Sequence, residues 1–245
     1  MLQPHINLDD KINTRYAILP GDPARLDRIS TFLTDVEEIS FNREYRSLTG
    51  YYKGVKILAI STGMGGTSTA IAVEELKNIG VKAMIRIGSC GTMQSNIKVG
   101  DIIISSGSVR DEGTSRSYVD LSYPAVPDPF LMMHCIESAE EFNFPHHVGI
   151  TRSHESFYSK KEISLEPYWQ EMGILGDDME TSALFTVGSL LGIKTAAILN
   201  NVVPFEGEIK DGIGGYSEGQ GLAVVGERNE IEVALEAFYK LSQKQ

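Results

Sequence analysis

Short runs of apolar and β-branched residues alternate with longer amphipathic segments along most of the chain. The apolar runs predict buried strands at 16–19, 55–61, 82–90, 100–110, 148–151 and 194–200. The amphipathic segments predict helices at 24–33, 69–78, 130–142, 181–191 and 227–241. Because strands and helices alternate over one length, we expect a single α/β domain, residues 1–245, with a central mixed β-sheet flanked by helices.

Three segments lack a clear period. Residues 41–49 alternate only loosely, and the polar, proline-bearing residues 111–129 predict a long surface loop. The glycine-rich residues 204–221 predict a mobile loop before the last helix.

Charge and composition narrow the functional classes. The net charge of −11 argues against a nucleic-acid binder, which requires a basic face. Two cysteines form no disulfide framework, and the N-terminus lacks the layout of a signal peptide. No apolar run is long enough to cross a bilayer, so we expect a cytoplasmic protein without a membrane partner.

One glycine-rich stretch carries an arginine directly after an apolar run. It reads Arg86-Ile87-Gly88-Ser89-Cys90-Gly91-Thr92 and follows Ala83-Met84-Ile85. An arginine in a buried strand is costly unless an anionic group meets it. Glycines let the backbone approach a ligand and direct N–H groups toward it. The stretch therefore predicts an anion pocket at the carboxyl end of a strand, where open α/β sheets bind ligands.

Three other segments end predicted strands or begin predicted helices. Arg25 follows Pro20-Gly21-Asp22-Pro23 at a helix start, which favours either a second anion site or a capped surface helix with a solvated arginine. Residues 62–68 form a glycine-rich loop between a strand and a helix, a weak signal alone. Asp178-Met179-Glu180 precedes a helix, where carboxylates are also favourable through the helix dipole alone.

Taken together, these motifs resemble the nucleoside phosphorylases of the uridine phosphorylase and hexameric, bacterial-type purine nucleoside phosphorylase group. The resemblance runs nearly end to end and is closer overall to uridine phosphorylase. The matching motifs, in chain order, are His5-Ile6-Asn7, Pro20-Gly21-Asp22-Pro23-Ala24-Arg25, Asn42-Arg43-Glu44, Ser61-Thr62-Gly63-Met64-Gly65-Gly66, Arg86-Ile87-Gly88-Ser89-Cys90-Gly91 and Met179-Glu180.

The resemblance implies a reaction and a set of site residues. Inorganic phosphate is the co-substrate, no organic cofactor is required, and Arg86 and Glu180 are the catalytic pair. The implied phosphate ligands are Gly21, Arg25, Arg86, Ser89 and, from a neighbouring subunit, Arg43. The implied ribose ligands are His5, Met179 and Glu180, and the residues assigned to the base are Phe157, Asp178, Val202 and Val203.

The resemblance also implies a homo-oligomer, a hexamer built from dimers, with sites shared between subunits. Some uridine phosphorylases hold K⁺ between subunits through a glutamate that matches Glu44, which makes Glu44 a candidate K⁺ ligand.

The residues expected to read the base match neither branch of the family. Val202-Val203 stands where purine enzymes carry Ser-Asp, and Lys161 and Ile163 stand where uridine enzymes carry glutamine and arginine. A uridine-type phosphorylase is the leading interpretation. A purine phosphorylase with a non-standard base site, a hydrolytic nucleosidase and a non-catalytic nucleoside-binding paralogue stay open. Three arginines at the predicted phosphate site argue against a nucleosidase, because water needs no guanidinium clamp.

Overall fold

The structure, a computed structural model, describes residues 1–205, 207 and 221–244. Within them nine strands form one mixed sheet: β1 Tyr16–Pro20, β2 Thr34–Asn42, β3 Tyr45–Tyr52, β4 Val55–Ile60, β5 Ala83–Thr92, β6 Ile102–Asp111, β7 His146–His154, β8 Gly176–Asp178 and β9 Lys194–Val203. The helices are α1 Arg25–Ser30, α2 Gly66–Asn78, α3 Gly113–Tyr118, α4 Pro129–Glu141, α5 Lys160–Glu171, α6 Thr181–Leu190 and α7 Leu222–Ser242. The expected α/β class with a mixed central sheet is confirmed.

Helices cover both faces of the sheet. Alternate residues of β1 enter different cores: Ile18 packs in the cluster that includes Leu131 of α4 and Phe238 of α7. Leu19 packs in the cluster that includes Val73 of α2 and Phe185 of α6. This two-sided burial explains why the β1 run is apolar throughout rather than alternating.

The strand order is β2-β3-β4-β1-β5-β8-β7-β6-β9, and β9 also pairs with β5. The strands β5, β8, β7, β6 and β9 therefore close into a ring, and β1 to β4 extend from it as an open sheet. β5 is the shared strand, parallel to both β1 and β9.

β5 has a short gap between partners on the β1 side. Its last residue paired with β1 is Ile87, opposite Pro20, and its first residue paired with β8 is Gly91, opposite Asp177. The intervening residues 88–90 have no strand partner on that side, so their backbone groups are available to side chains or ligands. Such a change of neighbour along a strand end is the usual place for a ligand in α/β sheets.

Three expectations about local structure need correction. The loosely alternating residues 41–49 belong to two strands of a hairpin, β2 and β3. The expected loop at 111–129 contains α3, whose first turn is capped because the Glu112 carboxylate accepts a hydrogen bond from the Ser115 N–H. The segment after Phe157-Tyr158 forms α5, which the sequence pattern did not indicate. Most of the predicted glycine-rich loop at 204–221 lies outside the described residues.

No helix in the described residues is long and apolar enough to cross a membrane.

Candidate active site

Arg86 is the central side chain of the site. It is only 5% exposed and projects from β5 just before the gap. Its Nε donates to Asp178 Oδ2 at 2.8 Å, and its Nη2 lies 2.6 Å from Glu180 Oε2. Two buried carboxylates therefore hold the guanidinium in one orientation. They are anionic partners of the kind expected for an arginine in an apolar strand.

Gly88 provides the space that this guanidinium occupies. A Cβ placed on Gly88 would lie 2.4 Å from Arg86 Nη2 and 2.7 Å from Arg86 Cζ. Any side chain at position 88 would displace the guanidinium from Asp178 and Glu180. Because its φ is not positive, Gly88 is required here by the close approach of the Arg86 side chain and not by backbone conformation.

Glu180 is surrounded by hydrogen-bond donors. It is 5% exposed, and it stands directly before α6. Besides facing Arg86, its carboxylate accepts from the Gly65 N–H at 2.5 Å and from the Met179 N–H at 3.2 Å. Burial raises the pKa of Glu180, an effect that Arg86 opposes. The glycine-rich loop of residues 62–68 therefore contacts the predicted ribose carboxylate through its backbone.

Asp178 is engaged entirely within the chain. In addition to Arg86, its carboxylate accepts from Ser153 Oγ at 2.6 Å and from the Thr181 N–H at 3.0 Å. Asp178 thus orients Arg86 and caps the start of α6. The expected contact of Asp178 with a base stays a prediction.

Arg25, the second predicted phosphate ligand, reaches the same strand end. It is 3% exposed, and its Nη1 donates to the Ile87 carbonyl at 3.2 Å. Its Nε donates to Glu227 Oε2 at 2.9 Å, and its Nη1 lies 3.3 Å from Glu230 Oε1. Arg25 is therefore a buried, paired arginine, and the alternative of a solvated surface arginine is wrong.

Glu227 and Glu230 on α7 were not singled out from the sequence. Glu230 also uses the gap in β5, because its Oε2 accepts from the Gly88 N–H at 3.1 Å. Burial raises the pKa of Glu230 to about 8, Glu227 adds to the rise, and Arg25 and Arg86 oppose it. The helical period was an available signal, since both glutamates fall on the face of Ile231, Leu235 and Phe238.

The other two predicted phosphate ligands, Gly21 and Ser89, are close in sequence to Arg25 and Arg86 respectively. Ser89 is half-buried within the gap of β5. Gly21 follows β1 directly, and its carbonyl accepts from the Gly63 N–H at 3.0 Å. The structure thus brings Gly21, Arg25, Arg86 and Ser89 to the carboxyl ends of β1 and β5.

His5 and Arg43 are not part of this group. His5 Nδ1 lies 2.6 Å from Oε1 of Glu75. Glu75 stands nine residues after Gly66, the first residue of α2, which places it about 13 Å along the helix from its start. Arg43 is exposed at the tip of the β2–β3 hairpin, and no hydrogen bond or ion pair joins its guanidinium to the described residues. Both positions agree with roles in a neighbouring subunit's site, as the resemblance implies.

Of the residues assigned to the base, the two valines lie near the end of the ring and Phe157 lies in the segment after β7. Val202 and Val203 are buried near the end of β9, and Val203 pairs with Gly91. Phe157 is 38% exposed and contacts Tyr158 edge-on, with the ring centroids 5.1 Å apart. Val203 thus pairs with β5, the strand that carries Arg86, whereas Phe157 has no described contact with that strand.

Comparison with known proteins identifies the family of the chain. The family model described as the phosphorylase superfamily matches residues 15–200. A uridine phosphorylase of Thermococcus kodakarensis is 41% identical over 209 residues, which cover 80% of this chain and 76% of the relative. A guanosine phosphorylase of Halorubrum lacusprofundi is 36% identical over 196 residues, covering 80% and 81%.

A solved structure is similar along almost the whole chain. The crystal structure of uridine phosphorylase from Vibrio fischeri superposes with a TM-score of 0.91 at 43% identity, covering 97% of both chains. The residues matched by the family model include all of β5 and therefore the Arg86 motif. The chain therefore belongs to the phosphorylase superfamily, as its motifs predicted.

Proposed function

We propose that the protein is a nucleoside phosphorylase that reversibly cleaves the N-glycosidic bond of a nucleoside with phosphate, releasing free base and pentose 1-phosphate, with uridine-type substrates favoured. As a member of this family it is a pentosyltransferase. The observation that carries the proposal is the buried pair Arg86–Glu180, joined at 2.6 Å beside the gap in β5. Arg86, proposed to bind phosphate, and Glu180, proposed to bind the ribose hydroxyls, are in contact there, on a strand of the sheet and at the start of α6.

The proposed mechanism depends on positioning and charge. Arg25 and Arg86 would hold phosphate bidentately below the anomeric carbon, with Ser89 and the backbone at Gly21 completing its hydrogen bonds. Glu180, above Met179, would fix the ribose hydroxyls. The phosphate oxygen attacks as the bond to the base breaks through an oxocarbenium-like state, so the protein supplies no nucleophile of its own.

One substrate panel tests this function. Base release is measured from uridine, thymidine, inosine and adenosine, each with and without phosphate. We expect phosphate-dependent release, fastest from uridine. Equal rates without phosphate would favour a nucleosidase, and binding of nucleosides without any turnover would favour a non-catalytic paralogue. Fastest release from inosine would favour the purine phosphorylase, and one relative is a guanosine phosphorylase.

Phosphate affinity should depend on the ionisation of Glu230. Below about pH 8 the Glu230 carboxyl is largely neutral, whereas at higher pH it becomes an anion facing Arg25, Arg86 and Glu227. An anion there repels phosphate and competes for Arg25. We therefore expect the KM for phosphate to rise about tenfold between pH 7 and pH 9, equivalent to about 1.4 kcal/mol.

Steady-state kinetics of wild type and Glu230→Gln across this pH range measure the effect. Glutamine cannot ionise, so the variant should show a flatter profile that reflects phosphate ionisation alone. Parallel profiles for both proteins would exclude Glu230 as the titrating group.

We also propose a homo-oligomer, a hexamer built from dimers, in which Arg43 and His5 serve a neighbouring site. Subunits carrying Arg43→Ala and subunits carrying Arg86→Ala should each be nearly inactive alone. Mixed subunits should recover about one quarter of the wild-type rate, since random pairing makes half the dimers mixed and each has one complete site. The rate is measured after co-expression and purification of the mixture. No recovery would place Arg43 and Arg86 in the same subunit's site or outside it.

Glu44 as a K⁺ ligand also stays a proposal. Among the described residues, no group of three or more acidic, histidine or cysteine side chains is arranged to hold a metal ion. The proposed K⁺ at Glu44 would take further ligands from a neighbouring subunit.

A further inference from the structure

His154, which is buried, and Asp177, whose side chain is 26% exposed, form a pair that the proposed mechanism does not use. His154 is the last residue of β7, and Asp177 lies in β8. His154 Nε2 and Asp177 Oδ2 are 3.5 Å apart, which is longer than the usual 2.7–3.2 Å hydrogen bond. The two side chains are thus close but leave the imidazole and the carboxylate available to another group.

The carboxylate of Asp177 lies beside the open face of Gly91. A Cβ built on Gly91 would be 3.5 Å from Asp177 Oδ1 and 3.9 Å from Val203 Cβ. Gly91 pairs with Asp177 on one side and with Val203 on the other. The surface at Gly91 therefore has a polar flank, an apolar flank and no side chain between them, the arrangement that a flat ring with one polar edge would fit.

The chain leaves hydrogen-bonding capacity unused at this place. His154 Nδ1 is buried without a partner among the described residues, and Asp177 Oδ1, on a side chain that is 26% exposed, accepts no hydrogen bond from them. By contrast, His147 and Asp101, a second pair of the same types, lie 3.0 Å apart in direct hydrogen bonding. The pair therefore offers one buried, unpartnered imidazole nitrogen beside a partly exposed carboxylate, and a ligand with a donor and an acceptor would satisfy both.

Asp177 is close in the chain and the sheet to the residues of the predicted sugar and phosphate sites. It precedes Asp178, which holds Arg86, and it lies three residues before Glu180. Gly91 lies two residues beyond Ser89 on β5, about 7 Å further along the strand. The loop with Phe157 begins just after His154. Strand pairing thus places the pair next to the end of β5, beyond Ser89, and the chain after His154 leads to Phe157.

We propose that Asp177 and His154 recognise the –NH–C(=O)– edge of the nucleobase, with Gly91 and Val203 beneath the ring. This rests on the proposed phosphorylase function and deepens it. The Asp177 carboxylate accepts from the ring N–H, and an imidazole N–H of His154 donates to the adjacent carbonyl oxygen. Uracil, thymine, hypoxanthine and guanine all present this edge. Cytosine and adenine replace the carbonyl by an amino group and the N–H by a bare nitrogen.

The charge state of Asp177 suits this role at neutral pH. Burial raises the pKa of Asp177 to about 6, with Asp178 and Glu166 adding to the rise and His154 and Arg152 opposing it. The carboxyl group is then mostly ionised at pH 7 and acts as an acceptor. A base offering a bare nitrogen to a carboxylate would leave two acceptors facing each other in a buried site, which strongly disfavours binding.

The proposed role of Asp177 and His154 also explains why the residues expected to read the base match neither branch of the family. The side chains sought after Phe157-Tyr158 fall on α5, whereas Asp177 and His154 come from β8 and β7. Recognition of the base would thus be supplied by strand ends of the ring rather than by the segment after the aromatic pair.

The test compares wild type with Asp177→Asn on four nucleosides: uridine, inosine, cytidine and adenosine. Wild type should prefer the first two, and Asp177→Asn should lower their kcat/KM by about 10- to 100-fold, the range for losing a hydrogen bond to a charged group. Because the amide can donate to a bare ring nitrogen, the ratio of cytidine to uridine turnover should rise. The KM for phosphate should not change.

Asp101→Asn is the matched control, since it alters the His147 pair away from the site. It should leave the nucleoside ratios unchanged. If Asp177→Asn does not fold, as judged by circular dichroism, His154→Gln serves instead and should weaken the same two substrates. A uniform fall for all four nucleosides, with unchanged ratios, would overturn the assignment and leave a structural role for Asp177.

Calorimetry with free bases separates this inference from the proposed function. Wild type should bind uracil and hypoxanthine more tightly than cytosine and adenine, and Asp177→Asn should reduce the difference. A wild-type enzyme that lacks phosphorolysis but shows this preference would contradict only the function. Active phosphorolysis without the preference would contradict only the role of Asp177 and His154.

Discussion

Replacing Arg86 by alanine should lower kcat/KM for phosphorolysis by about 10³-fold, the scale seen when a preorganised electrostatic ligand is removed. The guanidinium is held by Asp178 at 2.8 Å and Glu180 at 2.6 Å, so it is ready to receive phosphate without rearrangement. The change also leaves two buried carboxylates unpaired, which should reduce the free energy of unfolding by about 3–5 kcal/mol. Kinetics at varied phosphate, with urea unfolding of the same samples, measure both effects.

Arg86→Lys and Arg110→Ala separate the catalytic loss from the loss of stability. Lysine keeps the charge but cannot bind two partners bidentately, so its activity should be intermediate. Arg110 is another buried arginine, whose guanidinium donates to Ser115 Oγ and to the Tyr123 carbonyl. Its removal should destabilise the fold but retain phosphate-dependent turnover. Near-normal kinetics of Arg86→Ala would remove Arg86 from the site.

The change Glu180→Gln should reduce kcat/KM by about 10²-fold, because a charge-assisted hydrogen bond is worth about 1.5–3 kcal/mol and this carboxylate makes several. All of its described protein partners are donors: the Gly65 N–H, the Met179 N–H and Arg86 Nη2. A glutamine NH₂ would face one of these donors in a buried position. Ribose would then lose its fixed acceptor, and Arg86 would lose half of its support.

The separate kcat and KM values for nucleoside, with unfolding by urea, provide the readout. Glu236→Gln is the matched control, since Glu236 is another buried glutamate and accepts from Tyr52 Oη at 2.8 Å. It should affect stability alone. If both variants lost the same small amount of activity, Glu180 would have no role beyond folding.

The sequence allowed prediction of the features that depend on local pattern. The strand leading to Arg86, the glycines after it and the carboxylate before α6 were each predicted from neighbouring residues, and the structure brings them together. These features could be found because a buried arginine and a run of glycines are unusual in a strand.

The parts that could not be predicted depend on distant contacts. The carboxylates of Glu227 and Glu230 reach Arg25 from about 200 positions further along the chain, and charged residues on a helix are usually solvated. The fold of 111–129 depends on Arg110 and Glu112, whose partners include Ser182 on α6. The closeness of Asp177 to Gly91 follows from strand pairing of β8, a three-residue strand with no periodic signal.

The gap in β5 also has an evolutionary consequence. In the proposed phosphate end, Arg25 and Arg86 contact four acidic side chains and the Gly88 N–H donates to one of them, so single substitutions there meet several partners at once. The proposed base end is made by separate side chains from β7, β8 and β9. If both ends act as proposed, substitutions at a few strand ends would exchange one nucleobase for another while the phosphate chemistry is retained.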